Sequence, residues 1–516
     1  MPAMPRIRSA IWLLALALLS PACSGTGHSH GAVIEWVAGH DQPAFDPDGP
    51  PDALRWALER QLSHGLTEED SSGRIVPAAA ESIGVSRDGL TLRFRLRPDV
   101  TFTDGRRCTS HDFRAALESG LARSDHGTRA VLLAAVRGVD GVRAGRPLPR
   151  LGIETPDAHT LVLQLSRPDS LLLRKLALPG VSSPWRQRAG VDWNGAVGIG
   201  PYRVSAMGRD RRLTLVRSLP HGRVDTLRVR FIPATARLRS LMRAQGFDLL
   251  WPLAPGLLDE PLPATYRTEV SRARPERHLL LVMRSDVPPT TTLPARRALA
   301  HALNRGEMQT ALGALGQPPG ALIEGAPAFE QPTYDLGEVG AWLERGHLGR
   351  SFHAVLAFDA GGAPAIAARA LQGGWSRVNL YAELRGLRGA AFQTEALHGS
   401  AQLLLVESQP LIDRPEWRLA DLVMPMRGPA VGAFRTGWRT REFDVWLVGR
   451  PGAQAFSPGA AQSRIEDETQ ILPLSRLPWV RVVRSSGPET GFHPHFGPDF
   501  TTSAPTVEGP AALAPG

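Results

Sequence analysis

Ser86-Arg87-Asp88-Gly89-Leu90-Thr91-Leu92-Arg93-Phe94-Arg95-Leu96-Arg97-Pro98, followed by Phe102-Thr103-Asp104-Gly105, is the stretch on which the reading of this chain turns. Leu90 to Leu96 alternates apolar with polar residues, so a strand there buries one face and turns its arginines outward. Ser86 to Gly89 is a turn, with Gly89 free to take the positive φ that a tight hairpin needs. Ile83 and Val85 supply the partner strand. Thr101 to Gly105 forms a second short strand and turn. Thr109 or Ser110 then caps a helix running from His111 to about Leu121.

Outward from this hairpin, strands and helices mix along the whole chain. Ala32 to Val37 reads as a first buried strand, Asp46-Pro47 as a turn and Asp52 to Leu66 as an amphipathic helix. Ile153 to Leu165 is a second hairpin turning at Thr155 to Ala158. Gly198-Ile199-Gly200-Pro201-Tyr202 is a corner whose glycines permit backbone conformations closed to side chains. Strands follow at Leu213 to Val216, Val224 to Ile232, Phe247 to Trp251 and His278 to Met283, with a helix over Ala234 to Ala244. One long helix is predicted over Pro294 to Leu315. Helix, strand and helix follow at Leu336 to Arg345, Ser351 to Phe358 and Ala363 to Gln372. Leu403 to Val406, Glu442 to Val448, Ile471 to Leu474 and Val480 to Val483 complete the strands. This mixture predicts several α/β lobes.

The 516 residues exceed one core and require two or three lobes. The formal net charge is +9, and Lys175 is the only lysine. Arginines alternate with acids and form no basic run, so the charge reads as a solvated surface and not as a nucleic-acid footprint. It also suits a position near an anionic membrane. No hydrolase, metalloprotease, phosphate-loop or Cys-x-x-Cys pattern is present, and no enzyme, cofactor or metal site is predicted. His493-Pro494-His495 reads as a surface loop and not a metal pair. Cys108 reads as a small buried residue.

The first residues read as an address. Arg6 and Arg8 precede the short apolar run Ile11 to Leu19, which is too short to span a bilayer. Leu19-Ser20-Pro21-Ala22-Cys23 resembles a bacterial lipobox, although Ser20 stands where Leu is usual. Residues 1–22 are therefore predicted to be a signal peptide, with Cys23 lipidated. Ordinary cleavage near Ala22 is the alternative. Residues 23–31 form a flexible tether that includes His28 and His30, and 501–516 a disordered tail.

The motifs together resemble family 5 extracellular solute-binding proteins, the oligopeptide, dipeptide and nickel-binding group. The Ser86 to Gly105 stretch carries most of the likeness, with Val76-Pro77-Ala78-Ala79-Ala80-Glu81-Ser82 before it. Gly198 to Tyr202, Gly246-Phe247-Asp248-Leu249 and the Arg296 to Arg305 helix continue it in order. The resemblance implies a bilobal type II periplasmic-binding fold with an extra domain and a discontinuous first lobe. Lobe 1 would comprise 32–60, 191–270 and 475–500, the extra domain 61–190 and lobe 2 residues 271–474. It implies a monomer that encloses a peptide or other small solute and delivers it to ABC permease subunits in the membrane. A sensory or accessory lipoprotein with a repurposed cleft is the alternative.

Arg296 reads as a helix anchor held by a salt bridge. In peptide-binding relatives an acid after a late buried strand, in a Trp-x-x-Asp type segment, pairs with the ligand's amino terminus. Here Leu403 to Val406 is followed by Glu407-Ser408-Gln409-Pro410-Leu411-Ile412-Asp413, without the Trp and with the acids displaced. Glu407, Gln409, Asp413 and Trp417 are candidate ligand contacts, as are Asp48, Gly49, His126 and Thr128 by position. Trp438 and Trp446 are either cleft walls or core.

Overall fold

A computed structural model describes residues 32–500 apart from 44, 46–51, 124–127, 140–149, 186–192, 219–223, 254–256, 258–260, 273–274, 350, 424–435, 439, 441, 444–455 and 488–489. The chain opens with β1 (Ala32–Ala38) and α1 (Ala53–Leu62), whose N-terminus is capped by Asp52 Oδ1 accepting from Arg55 N at 2.7 Å. Next come β2 (Thr67–Glu69), β3 (Ile75–Pro77), β4 (Ala80–Val85), β5 (Thr91–Leu96), α2 (Ser110–Arg123), α3 (Thr128–Leu132), β6 (Ile153–Asp157), β7 (Thr160–Gln164) and α4 (Leu172–Leu176). β8 (Tyr202–Met207), β9 (Arg212–Arg217), β10 (Val224–Phe231), α5 (Thr235–Arg243), β11 (Leu249–Leu250) and β12 (Tyr266–Ser271) follow. The long later part holds β13 (Arg277–Met283), α6 (Leu293–His301), α7 (Arg305–Leu312), α8 (Leu336–Arg345), β14 (Phe352–Asp359) and α9 (Gly362–Ser376). It continues with β15 (Leu380–Leu387), α10 (Ala390–His398), β16 (Leu403–Ser408), α11 (Pro415–Leu422), α12 (Pro458–Glu468) and β17 (Ile471–Leu477). β18 (Trp479–Arg484), β19 (Gly491–His493) and β20 (Gly497–Asp499) close the described chain.

Three main sheets organise these elements. The first has seven strands in the order β12-β18-β11-β1-β10-β9-β8. β1 lies at its centre, parallel to both β10 and β11. Ile34 and Trp36 pack into the core on one face and Val37 into that on the other, as expected for a central strand covered on both sides. The second sheet, β4-β5-β7-β6, contains the deciding hairpin. Leu92, Phe94 and Leu96 point into its core, Arg93 and Arg95 point out, and Gly89 takes a φ of 70°. The third sheet runs β15-β14-β16-β13-β17. Its strand β13 is fully buried from Leu279 to Met283, matching a continuous apolar run.

The path through the sheets makes the first lobe discontinuous. The chain leaves the seven-stranded sheet after β1, builds the four-stranded sheet, and returns for β8 to β12. It then leaves for the five-stranded sheet and returns as β18. Only Pro478 separates β17 from β18, and a short link joins β12 to β13. These two crossings connect the seven- and five-stranded sheets.

Several sequence expectations need correction. The helix predicted over Pro294 to Leu315 is two helices, α6 and α7. Asn304 breaks it by accepting Glu307 N at 3.1 Å, a cap that restarts the helix. Gly198 and Gly200 do not take the left-handed φ that their glycines allow. A Cβ on Gly198 would lie 2.2 Å from Leu62 O, and one on Gly200 2.3 Å from Leu62 C, so close backbone approach demands glycine. In the strand predicted over Glu442 to Val448, Glu442 and Phe443 are helical, and the rest lies outside the described residues. The supposed surface loop His493-Pro494-His495 has both histidines buried. Arg296 does anchor its helix: it donates to Glu468 O at 2.8 Å and ion-pairs with Glu468 Oε2 at 3.2 Å.

Candidate functional site

Strand ends from two sheets meet where the lobes face each other. β1 delivers Gly39, His40 and Asp41 from the first lobe. β14 ends on Asp359, and Arg388 follows β15 directly. β14, β15 and β16 are mutually parallel, so their carboxyl ends open on the same side. The crevice outside the carboxyl ends of parallel strands is the usual place for a ligand in such sheets.

Charge binds the two sides together. Arg388 Nη1 donates to Asp41 Oδ2 at 3.1 Å, and Arg211 Nη1 reaches Asp41 Oδ1 at 3.4 Å. Asp359 Oδ1 accepts Gly361 N at 2.9 Å. Burial raises its pKa above the usual carboxylate range, against the lowering hydrogen bond from Gly361. His40, Glu407 and Arg388 also act on it, which places these groups in one electrostatic neighbourhood. The loop after His40 carries Phe45, edge-on to Trp185 at 4.9 Å and to Trp193 at 5.0 Å.

Glu407 lies inside β16, which runs two residues beyond the predicted strand. It ion-pairs with Arg277, whose guanidinium lies 3.9 Å over the Trp479 ring. Arg277 begins β13 and Trp479 begins β18, so this stack joins the two crossings between lobes. Its Oε2 pairs with Arg277, while its other carboxylate oxygen lies near Gly362: a Cβ there would lie 3.1 Å from Glu407 Oε1.

Beyond β16 the chain is committed to internal contacts. Gln409 Nε2 donates to Pro275 O at 2.8 Å, at the first crossing. Asp413 is half-buried and acts electrostatically on Glu69 and Arg418. Trp417 is half-buried, with Lys175 Nζ 5.3 Å over its ring. Arg418 donates to Ser408 Oγ and to His278 Nδ1, each at 2.8 Å, and lies 3.4 Å from Asp421. Burial lowers the pKa of Arg418 and of His278 and raises that of Asp421.

Asp48, Gly49, His126, Cys23 and Trp446 lie outside the described residues. Thr128 starts α3. Trp438 packs edge-on against Phe443 at 4.8 Å within the five-stranded-sheet core. Cys108 is buried, and burial pushes its thiol pKa up. Among the described residues no cluster of three or more His, Cys, Asp or Glu is arranged to hold a metal ion. Sequence reasoning missed His40, Asp41, Asp359, Arg388 and Arg277. The usable signal was a polar residue immediately after an apolar strand, as in Phe358-Asp359-Ala360-Gly361-Gly362.

Two jaws, an extra domain and a double crossing define a type II periplasmic-binding architecture. Residues 74–422 match the family described as bacterial extracellular solute-binding proteins, family 5 Middle, and the chain belongs to that family. It is 26% identical over 157 residues to the dipeptide-binding protein of Lactococcus lactis, covering 30% of this chain and 28% of that one. An oligopeptide ABC transporter substrate-binding domain from Bacillus anthracis superposes with a TM-score of 0.79 at 15% identity, over 92% of this chain and 98% of that one. AgaA from A. tumefaciens R10, solved with agropinic acid, gives 0.74 at 19% identity, over 91% and 96%.

Proposed function

We propose that this chain is the extracytoplasmic binding component of a peptide-type ABC importer. It encloses a peptide or other small solute between its lobes and delivers it to membrane permease subunits. Residues 32–60, 191–270 and 475–500 form one jaw, 271–474 the other, and 61–190 the extra domain. Residues 1–22 direct export, Cys23 takes the lipid, and 23–31 link the monomer to the membrane. The observation that carries this reading is the meeting of Asp41, Asp359, Arg388 and Glu407 at the strand ends between the lobes. Solutes reported with relatives, peptides and agropinic acid, set the range to screen. Melting-temperature screening of peptides, opines, sugars and metal chelates tests it. A true ligand raises the melting temperature with its concentration over Kd, and no shift with any class sinks the reading.

A second reading keeps the scaffold without transport, as a sensory or accessory lipoprotein. It is favoured by the pairing of Glu407 with Arg277 and by the burial of Leu411 and Ile412 after β16. Deleting the gene alone separates the two: transport requires lost uptake, sensing does not. Replacing Cys23 by Ser should release an anchored protein from the membrane fraction.

A further inference from the structure

Helix α11 belongs to two cores at once. Leu419 and Leu422 pack, with Val423, into the core of the five-stranded sheet. Ala420 packs into the core of the four-stranded sheet, and Trp417 packs against it. Leu411 and Ile412, just before the helix, are buried in that same second core together with Leu66, Ile199 and Phe496. Those three come from the extra domain, the Gly198 to Tyr202 corner and the β19–β20 region, so the core joins all parts of the molecule. Between its two apolar faces α11 carries Arg418 and Asp421, both buried and locked to Ser408.

The same segment is tied to the crossing between lobes. Gln409 donates to Pro275 O and Arg418 to Glu276 O. A hinge opening that separates the five-stranded lobe from the extra domain must therefore either pull Leu411, Ile412 and Ala420 out of an apolar core or break those bonds. Exposing buried apolar side chains is unfavourable, so the contacts bias the molecule toward closure. At the far side of the crevice, the Asp41–Arg388 pair adds a polar contact between the same two jaws.

We infer that residues 409–422 are a built-in clasp, by which the chain's own side chains hold the jaws closed and solute enters only when the clasp releases. The inference takes the crevice from the proposed function but concerns its closure, so the two fail separately. The test uses the full chain carrying Cys23→Ser, unfolded in guanidinium and refolded to strip co-purified solute. Small-angle scattering in plain buffer should match the closed structure, and tri-alanine or agropinic acid should leave the radius of gyration unchanged. Ile412→Ala and Trp417→Ala should each raise it, with near-UV dichroism confirming that the variant is folded. If Ile412→Ala fails to fold, Trp417→Ala, at a half-buried position, still decides. A wild type that is expanded in buffer and compacts on adding either solute overturns the clasp. So do folded variants with the wild-type radius. A melting-temperature screen on the same samples reads solute binding independently, and its failure would sink the binding function without touching the clasp.

Discussion

Removing Glu407 would strand the guanidinium of Arg277, which is largely buried beside Trp479 and whose further acceptor among the described residues is Pro478 O, at 3.5 Å. Glu407→Gln should therefore cost about 1–2 kcal/mol, read from urea midpoints, with the partial exposure of the carboxylate keeping the loss moderate. His493 offers a pH test. Its Nδ1 accepts from His495 N at 3.1 Å and Phe496 N at 3.3 Å, and its Nε2 donates to Glu69 O at 3.0 Å. Both ring nitrogens are thus engaged in the neutral form. Burial, with Arg60 nearby, pushes its pKa down to about 3 from 6.5. The unfolded chain takes up this proton below 6.5 and the folded chain does not until about 3. Stability is thus full above 6.5 and falls as pH drops through that window, by about 1.4 kcal/mol per unit. Buried carboxyls with raised pKa values, such as Glu69, act in the opposite direction. The measurement is accordingly the difference in slope between wild type and His493→Gln over pH 4.5 to 6, about that size.

At the scale of elements, α11 shows why a buried ion pair is poor evidence of stability by itself. Arg418 and Asp421 are held in a network with Ser408 and His278. Asp421→Asn leaves a buried guanidinium without its counter-charge and should cost about 3–5 kcal/mol. The double change Arg418→Met with Asp421→Leu removes both charges and should cost less than the single change; equal or greater loss by chemical denaturation would refute this. The glycine corner makes a second case. Gly198→Ala meets the Leu62 carbonyl, which is backbone and cannot swing aside, so a loss of about 1–3 kcal/mol is expected in the thermal midpoint. Asn304 illustrates what periodicity misses: apolar spacing continues through it, while its side chain ends one helix and starts the next.

For the whole molecule, Asp41 and Arg388 form a partly exposed ion pair between jaws, so screening by salt should weaken it. Asp41→Asn should change global stability by less than ~1 kcal/mol. Its signature should instead be a lost dependence of the radius of gyration on salt between low and high ionic strength. A variant that keeps the wild-type salt response would show that this pair plays no part in closure.

Much of the scaffold is readable from local chemistry. Alternation in Leu90 to Leu96, the Asp88-Gly89 turn and the apolar run of β13 specify hairpin and buried strand because each depends only on neighbours along the chain. The ordered motifs from Val76 to Arg305 lead to the family for the same reason: they serve local turns and close packing, as at Gly89 and Gly198. The site obeys a different logic. Asp41 meets Arg388 across 347 positions of sequence, and Glu407 meets Arg277 across 130. No periodicity records such pairings, because they depend on how two sheets are placed around a double crossing. The fate of the segment after β16 was likewise decided in three dimensions. Leu411 and Ile412 read as two loop residues between candidate acids, yet they fill a core contributed by other parts of the chain. Whether a residue faces ligand or packing is a property of what lies opposite it, and only the tertiary structure supplies that.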